Sequence, residues 1–245
     1  MAGLNTGGPR FAGDGGAADP AIAAVLAAYA AGQESERAAL TALARARLLV
    51  PLVECPAGPE DAAEIAGCDR RAAREMAFPT LIGRDGRPGL LAFTSLAALV
   101  SWRPDARPVP TPARQVWGTA VADECAVIID VTGPVPIAVD GARLAALAAG
   151  QPPPAPQADP DIRADVAAAL AGTPVPGAPA ITGADLAAGP DGTDLAVRLL
   201  LEPGTPTQAV QQAVQRAGEA IVARLAGRLR RGIEFSAAPA PGPRG

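Results

Sequence analysis

Residues 151–161 read Gln-Pro-Pro-Pro-Ala-Pro-Gln-Ala-Asp-Pro-Asp, and this run constrains the fold most. Proline lacks an amide N–H and fixes φ, so neither a helix interior nor a central strand passes through three in a row. The run is expected to be a polyproline-like linker with a folded part on either side. A chain of 245 residues is long enough for two small domains. The expected boundaries are a disordered leader at 1–18, an α+β domain at 19–150, the linker at 151–161, a second domain at 162–236 and a disordered tail at 237–245.

Hydrophobic residues make up 49% of the chain but aromatics only 3%, so the cores must be built from Leu, Val, Ile and Ala. All 21 cationic side chains are Arg; there is no Lys and no His. Imidazole acid/base work, Schiff-base chemistry and histidine metal ligation are thereby withheld. The net charge is −4, so non-specific nucleic-acid binding is not expected. Three widely spaced Cys form no disulfide framework, and without His they make a poor zinc site. No metal and no cofactor are expected, and reduced thiols fit a cytoplasmic location. No secretory signal is seen, and the apolar run 21–31 is far shorter than the roughly 20 residues a bilayer span needs. No membrane partner is expected. The Ala/Arg/Gly/Pro bias without Lys is that of a GC-rich bacterial chain.

Asp19 is placed to cap a first helix, and Ser35 a second over 36–47. The run 48–53 is a short apolar strand in which Pro51 suggests an edge or a bulge. A charged insert occupies 54–75. Phe78-Pro79-Thr80 then leads into a hairpin at Asp85-Gly86, whose return strand ends at Phe93. Thr94 or Ser95 caps a short helix to Trp102, and Thr111-Pro112 opens another with Val116, Trp117 and Ala120 inward. Strands are expected at 125–131 and 135–139, then a helix from Asp140 to Gly150. The second domain reads α-β-β-α-β, a small antiparallel sheet with helices on one face. Its long helix is capped by Thr205 and carries the stripe Val210, Val214, Ala217, Ile221, Leu225 and Leu229. The fold class is α+β, two small mixed sheet-and-helix units.

The order of these elements over 19–150, with Leu91-Ala92-Phe93-Thr94-Ser95 after the Asp-Gly hairpin, resembles the SseB N-terminal domain family. The second domain resembles the C-terminal part of its two-domain members. The resemblance implies a cytoplasmic α+β protein without an established active site, in a family named for enhanced serine sensitivity. Many members carry Asn-Pro after the strand that ends here at Ile129, whereas this chain continues Asp130-Val131-Thr132-Gly133.

Three functional readings follow. The leading one is a non-enzymatic interaction or regulatory protein, binding through a groove at Phe93, Thr94, Trp102, Trp117 and Asp130. Strand-end loops often hold ligands, though a turn-forming Asp is the default. The two tryptophans either line that groove or fill the core. A protein segment is the expected partner, with a small metabolite as the other candidate. The second reading is a thiol enzyme, sulfurtransferase- or phosphatase-like, using Cys68 and Arg74. Cys, five residues and Arg is the spacing of oxyanion-cradling loops, but those are Gly/Ser-rich and this segment is bulky and charged. The third is a translation-associated factor, following a family association with translation genes and using Arg224, Arg228, Arg230 and Arg231. Cations at a helix C-terminus explain that cluster without RNA.

Overall fold

A computed structural model describes residues 13–54, 76–77, 79–83, 86–134, 136–171, 181–190 and 192–241. Residues 1–12 of the leader, the insert 55–75 with Cys55, Cys68 and Arg74, and the tail residues 242–245 lie outside the described residues. So do Phe78, residues 84–85, Val135, 172–180 and Asp191. The chain divides into two compact units, Met1–Ala30 with Ala39–Pro153, and Ala31–Ala38 with Pro154–Gly245. Both combine helices with sheets, so the class is α+β.

In the first unit, α1 (Pro20–Ala30) starts at Asp19, whose carboxylate accepts the N–H groups of Ala21 and Ile22 at 2.9 and 3.3 Å. Next come α2 (Glu36–Leu43), whose first turn belongs to the second unit, β1 (Arg47–Glu54), β2 (Met76–Ala77), β3 (Thr80–Ile82) and β4 (Pro88–Ala92). The rest is α3 (Leu96–Trp102), β5 (Arg107–Pro112), α4 (Ala113–Ala122), β6 (Ala126–Ile129), β7 (Ile137–Val139) and α5 (Gly141–Ala148). Gly86 takes the positive φ, 78°, that the β3–β4 turn requires. Strand order is β2-β1-β5 in one ladder and β3-β4-β6-β7 in the other. Leu49 and Phe93 exchange both backbone hydrogen bonds at 2.8 Å and join the two. Among the described strands of this unit, only β4 and β6 pair in parallel.

Side chains of a strand alternate between faces, and both faces of this sheet are buried. Leu48, Val50, Leu90, Ala92, Val127 and Ile129 pack with Tyr29, Leu40, Trp117 and Leu147 in one core. Leu49, Val53, Leu91 and Phe93 pack with Leu99 and Ala106 in another. A sheet buried on both faces produces continuous apolar runs, which is why these strands stand out in the sequence. Each such Leu, Val or Ile contributes roughly 1.5–3 kcal/mol by leaving water.

Two strands differ from expectation. Strand β1 is flanked by β5 and, at Val53 and Glu54, by β2, while Pro51 itself is paired on the β5 side alone. Strand β5 was not anticipated, because Arg-Pro-Val-Pro-Thr-Pro reads as a loop. The register resolves both. Pro51 faces Pro108, Leu49 faces Pro110 and Arg47 faces Pro112. Leu49 turns its N–H and C=O toward Phe93, so alternation turns those of Leu48 and Val50 toward β5, opposite Thr111 and Val109. Prolines 108, 110 and 112 therefore occupy the positions whose amide would point outward. The outer edge of β5 offers carbonyls and no donor.

The leader also differs: residues 13–18 are held in place. Leu96 N–H donates to Gly16 O at 2.7 Å. Arg47 pairs with Asp14 at 2.7 Å, and its guanidinium donates to Ala17 O and Thr94 O. At Gly16, φ is +73° and a Cβ would stand 2.8 Å from Leu96 Cβ, so only glycine fits.

The second unit contains α6 (Pro160–Ala171), β8 (Ile181–Ala188), β9 (Leu195–Leu201), α7 (Thr207–Leu225) and β10 (Ile233–Pro239). The sheet order is β10-β9-β8. It is mixed rather than antiparallel, since α7 returns the chain to the same end of the sheet and β10 pairs with β9 in parallel. Leu195, Val197 and Leu199 pack against Ile162 and Val166 of α6 and Ala217, Ile221 and Leu225 of α7. Helix α7 ends at Leu225, with Leu229 buried beyond it. Thr205 Oγ1 donates to Glu202 O instead of capping the helix. Residues 237–239 of the expected tail extend β10 along β9. Within 151–161, Pro156–Ala158 form a 3-10 helix and Asp159 is buried, so this part of the proline-rich run is built into the unit. Asp159 and Glu36 both bind Arg228, which accounts for residues 31–38 grouping here instead of with the first domain. No helix among the described residues is long and apolar enough to cross a membrane.

Candidate functional site

Strands β4 and β6 run in parallel, so their carboxyl ends lie side by side, where sheets of mixed αβ proteins commonly present ligand-binding loops. Thr94 follows β4 and Asp130 follows β6. Asp130 sits in the left-handed region at φ 47°, which Asp and Asn tolerate better than most residues. Its N–H donates to Ala92 O at 3.0 Å, and its C=O accepts from Gly133 N–H at 2.7 Å. The carboxylate accepts Thr94 N–H on Oδ1 at 2.9 Å and Thr94 Oγ1–H on Oδ2 at 2.6 Å. Burial pushes the Asp130 pKa above the usual carboxylate range, opposed by the two Thr94 bonds. Chemically, this is a clamp that fixes two strand ends.

Ser95 caps α3, its Oγ accepting Ala98 N–H at 3.1 Å. At the other end of α3, the Trp102 ring lies 5.6 Å from that of buried Phe93, tilted by 32°. Leu81, Ile128, Val131 and Trp102 are half-buried around this core. Leu96 and Val100, four residues apart and so on one helix face, are exposed at 36% and 43%. Phe93 thus meets Trp102, and Thr94 meets Asp130, as two separate pairs.

Trp117 does not join them. It lies on the inward stripe of α4, fully buried in the other core, and its Nε1 has no hydrogen-bond partner among the described residues. It fills the core and is not a wall of the groove. Cys125 is buried, and burial pushes its thiol pKa up. Cys68 and Arg74 lie outside the described residues. Arg228 is spent on Glu36 and Asp159, and Arg224 lies 3.7 Å from Asp165. Among the described residues no group of His, Cys, Asp or Glu is arranged to hold a metal.

Sequence reasoning missed Arg47. With Ala18, Asp19, Ile22 and Thr94 it lines a cavity of about 140 Å³ at the start of α1. Its only sequence signal was a charge at the mouth of an apolar strand.

No curated protein and no solved structure matches the chain. The family described as SseB protein N-terminal domain matches residues 22–146, just over half of the chain. That span contains the whole β4–α3–β6 arrangement with its Thr94–Asp130 clamp, and the chain belongs to the SseB family.

Proposed function

We propose that this SseB-family protein is a non-enzymatic interaction or regulatory protein of the cytoplasm, and that it holds a segment of another protein against the α3 side of its first sheet. The observation that carries this reading is the unequal cover of the sheet. One face packs against α1, α2, α4 and α5, whereas among the described residues the other meets α3 and the Ala106 turn. Leu81, Trp102, Ile128 and Val131 are half-buried around the core on that face, and Leu96 and Val100 of α3 are exposed. Incompletely covered apolar side chains that include a tryptophan are the composition of binding hot spots. The absence of Lys and His and the spent Arg228 favour a protein partner over an enzymatic or RNA-binding role.

Affinity capture from lysate with wild type, Trp102→Ala and Val100→Glu tests this. Val100 is exposed, so its variant should melt like wild type. A stoichiometric partner lost with both variants supports the reading. A partner retained by both, or none with any form, overturns it.

A further inference from the structure

We propose that the groove between α6 and β8 takes an extended peptide, added as a strand to the outer edge of β8, with an apolar side chain in the groove and a carboxylate on Arg163. This lies in the second unit and is independent of the α3 surface.

Three observations converge on it. First, β8 is the terminal strand of its sheet. A register shift lies between Ile181 and Gly183, and 183–188 then pairs regularly with β9. Beyond that pairing, the β8 backbone makes no hydrogen bond among the described residues. It contains no proline, so its outer amides are donors, unlike those of β5. Asp185, its one charge, pairs with Arg198 at 3.2 Å across the strands.

Second, a cavity of about 320 Å³ lies beside this edge. One wall is a single face of α6, with Val166, Ala167 and Leu170 at three, four and seven residues from Arg163. The other is Ile181, Ala184 and Leu186 of β8. A strand added to β8 would continue the pleat and put every second side chain on the helix side, into this space.

Third, Arg163 borders the groove. It is exposed, donates to Gln157 O at 3.3 Å, and makes no ion pair among the described residues. A cation beside an apolar slot is complemented by an acidic side chain or a terminal carboxylate. An extended peptide satisfies all three features at once; a compact apolar molecule satisfies only the second.

The test uses the full chain. A random peptide display library is panned against it, and selected peptides carrying fluorescein are titrated by anisotropy. Enrichment of alternating apolar sequences with an acidic or terminal carboxylate is expected. Ala167→Trp, at an exposed helix position, fills the groove and should weaken binding more than tenfold. Arg163→Gln should weaken it roughly fivefold. Each variant is compared at a thermal midpoint matching wild type. N-methylation of alternate peptide amides should abolish binding, and of the intervening ones should not. The proposal is overturned if no peptide is enriched, if Ala167→Trp and Arg163→Gln both bind as wild type, or if N-methylation has no effect at any position. Trp102→Ala should leave the titration unchanged.

Discussion

Thr94 donates twice to Asp130, its amide to one carboxylate oxygen at 2.9 Å and its hydroxyl to the other at 2.6 Å. The carboxylate that receives these bonds is nevertheless raised in pKa by burial. The folded chain therefore holds this proton to higher pH than the unfolded chain does. The stabilising contribution is complete below the unfolded carboxylate pKa and is lost as pH rises through the folded one. Asn at this position keeps one acceptor for the Thr94 amide, offers an N–H to the hydroxyl, tolerates φ 47° and carries no charge. Asp130→Asn is expected to gain stability relative to wild type as pH rises from about 4 to 7, reaching about 1 kcal/mol. Urea unfolding at the two pH values reads this directly, and a constant difference would contradict it. Thr94→Val should cost about 1 kcal/mol by removing the hydroxyl donor from a half-buried carboxylate oxygen.

The arm at residues 13–18 depends on Gly16. Its φ of +73° and the 2.8 Å approach to Leu96 leave no room for a methyl group. Gly16→Ala should detach the arm while leaving the sheet intact, at a cost of about 1–2 kcal/mol. Limited proteolysis would then cleave before residue 19 sooner than in wild type, with an unchanged far-UV spectrum. Equal cleavage rates would show that Arg47 alone holds the arm.

Half-buried Arg228 pairs with Glu36 at 3.2 Å and Asp159 at 2.6 Å. Burial lowers its pKa, but the two carboxylates outweigh that and leave it raised. Arg228→Met strands Asp159, 1% exposed, and should cost roughly 3–5 kcal/mol. Adding Asp159→Asn to that variant should recover part of the loss, a coupling that a double-mutant cycle measures. Strict additivity would mean the pair is not coupled.

Much of this was readable from residues alone. The hairpin, the caps at Asp19, Ser35 and Ser95, and the strands at Leu48 and Val127 declared themselves through local chemistry. What escaped was set by distant partners. The segment 107–110 had no assignment from sequence, and only its pairing with β1 shows that alternate prolines cost it no inward hydrogen bond. The leader looked too small and polar to order, yet Arg47 and Leu96 supply its bonds. The inward stripe of α4 already held Trp117, but with so few aromatics the sequence left core and groove both open to the two tryptophans, and burial separates them. The β9–β10 pairing turned on the crossover of α7, which local pattern does not encode.

The three prolines of β5 also bear on selectivity. Adding a strand to an edge depends mostly on main-chain bonds and is nearly indifferent to sequence, so an open edge accepts many intruders, including copies of itself. With no donor along its outer side, β5 offers no such ladder. A protein approaching this margin must be recognised by its side chains. Crowding the chain, as in overexpression, should not drive sheets to fuse here. Replacing Pro108 and Pro110 with Thr would restore two outward main-chain donors to this margin and remove that protection.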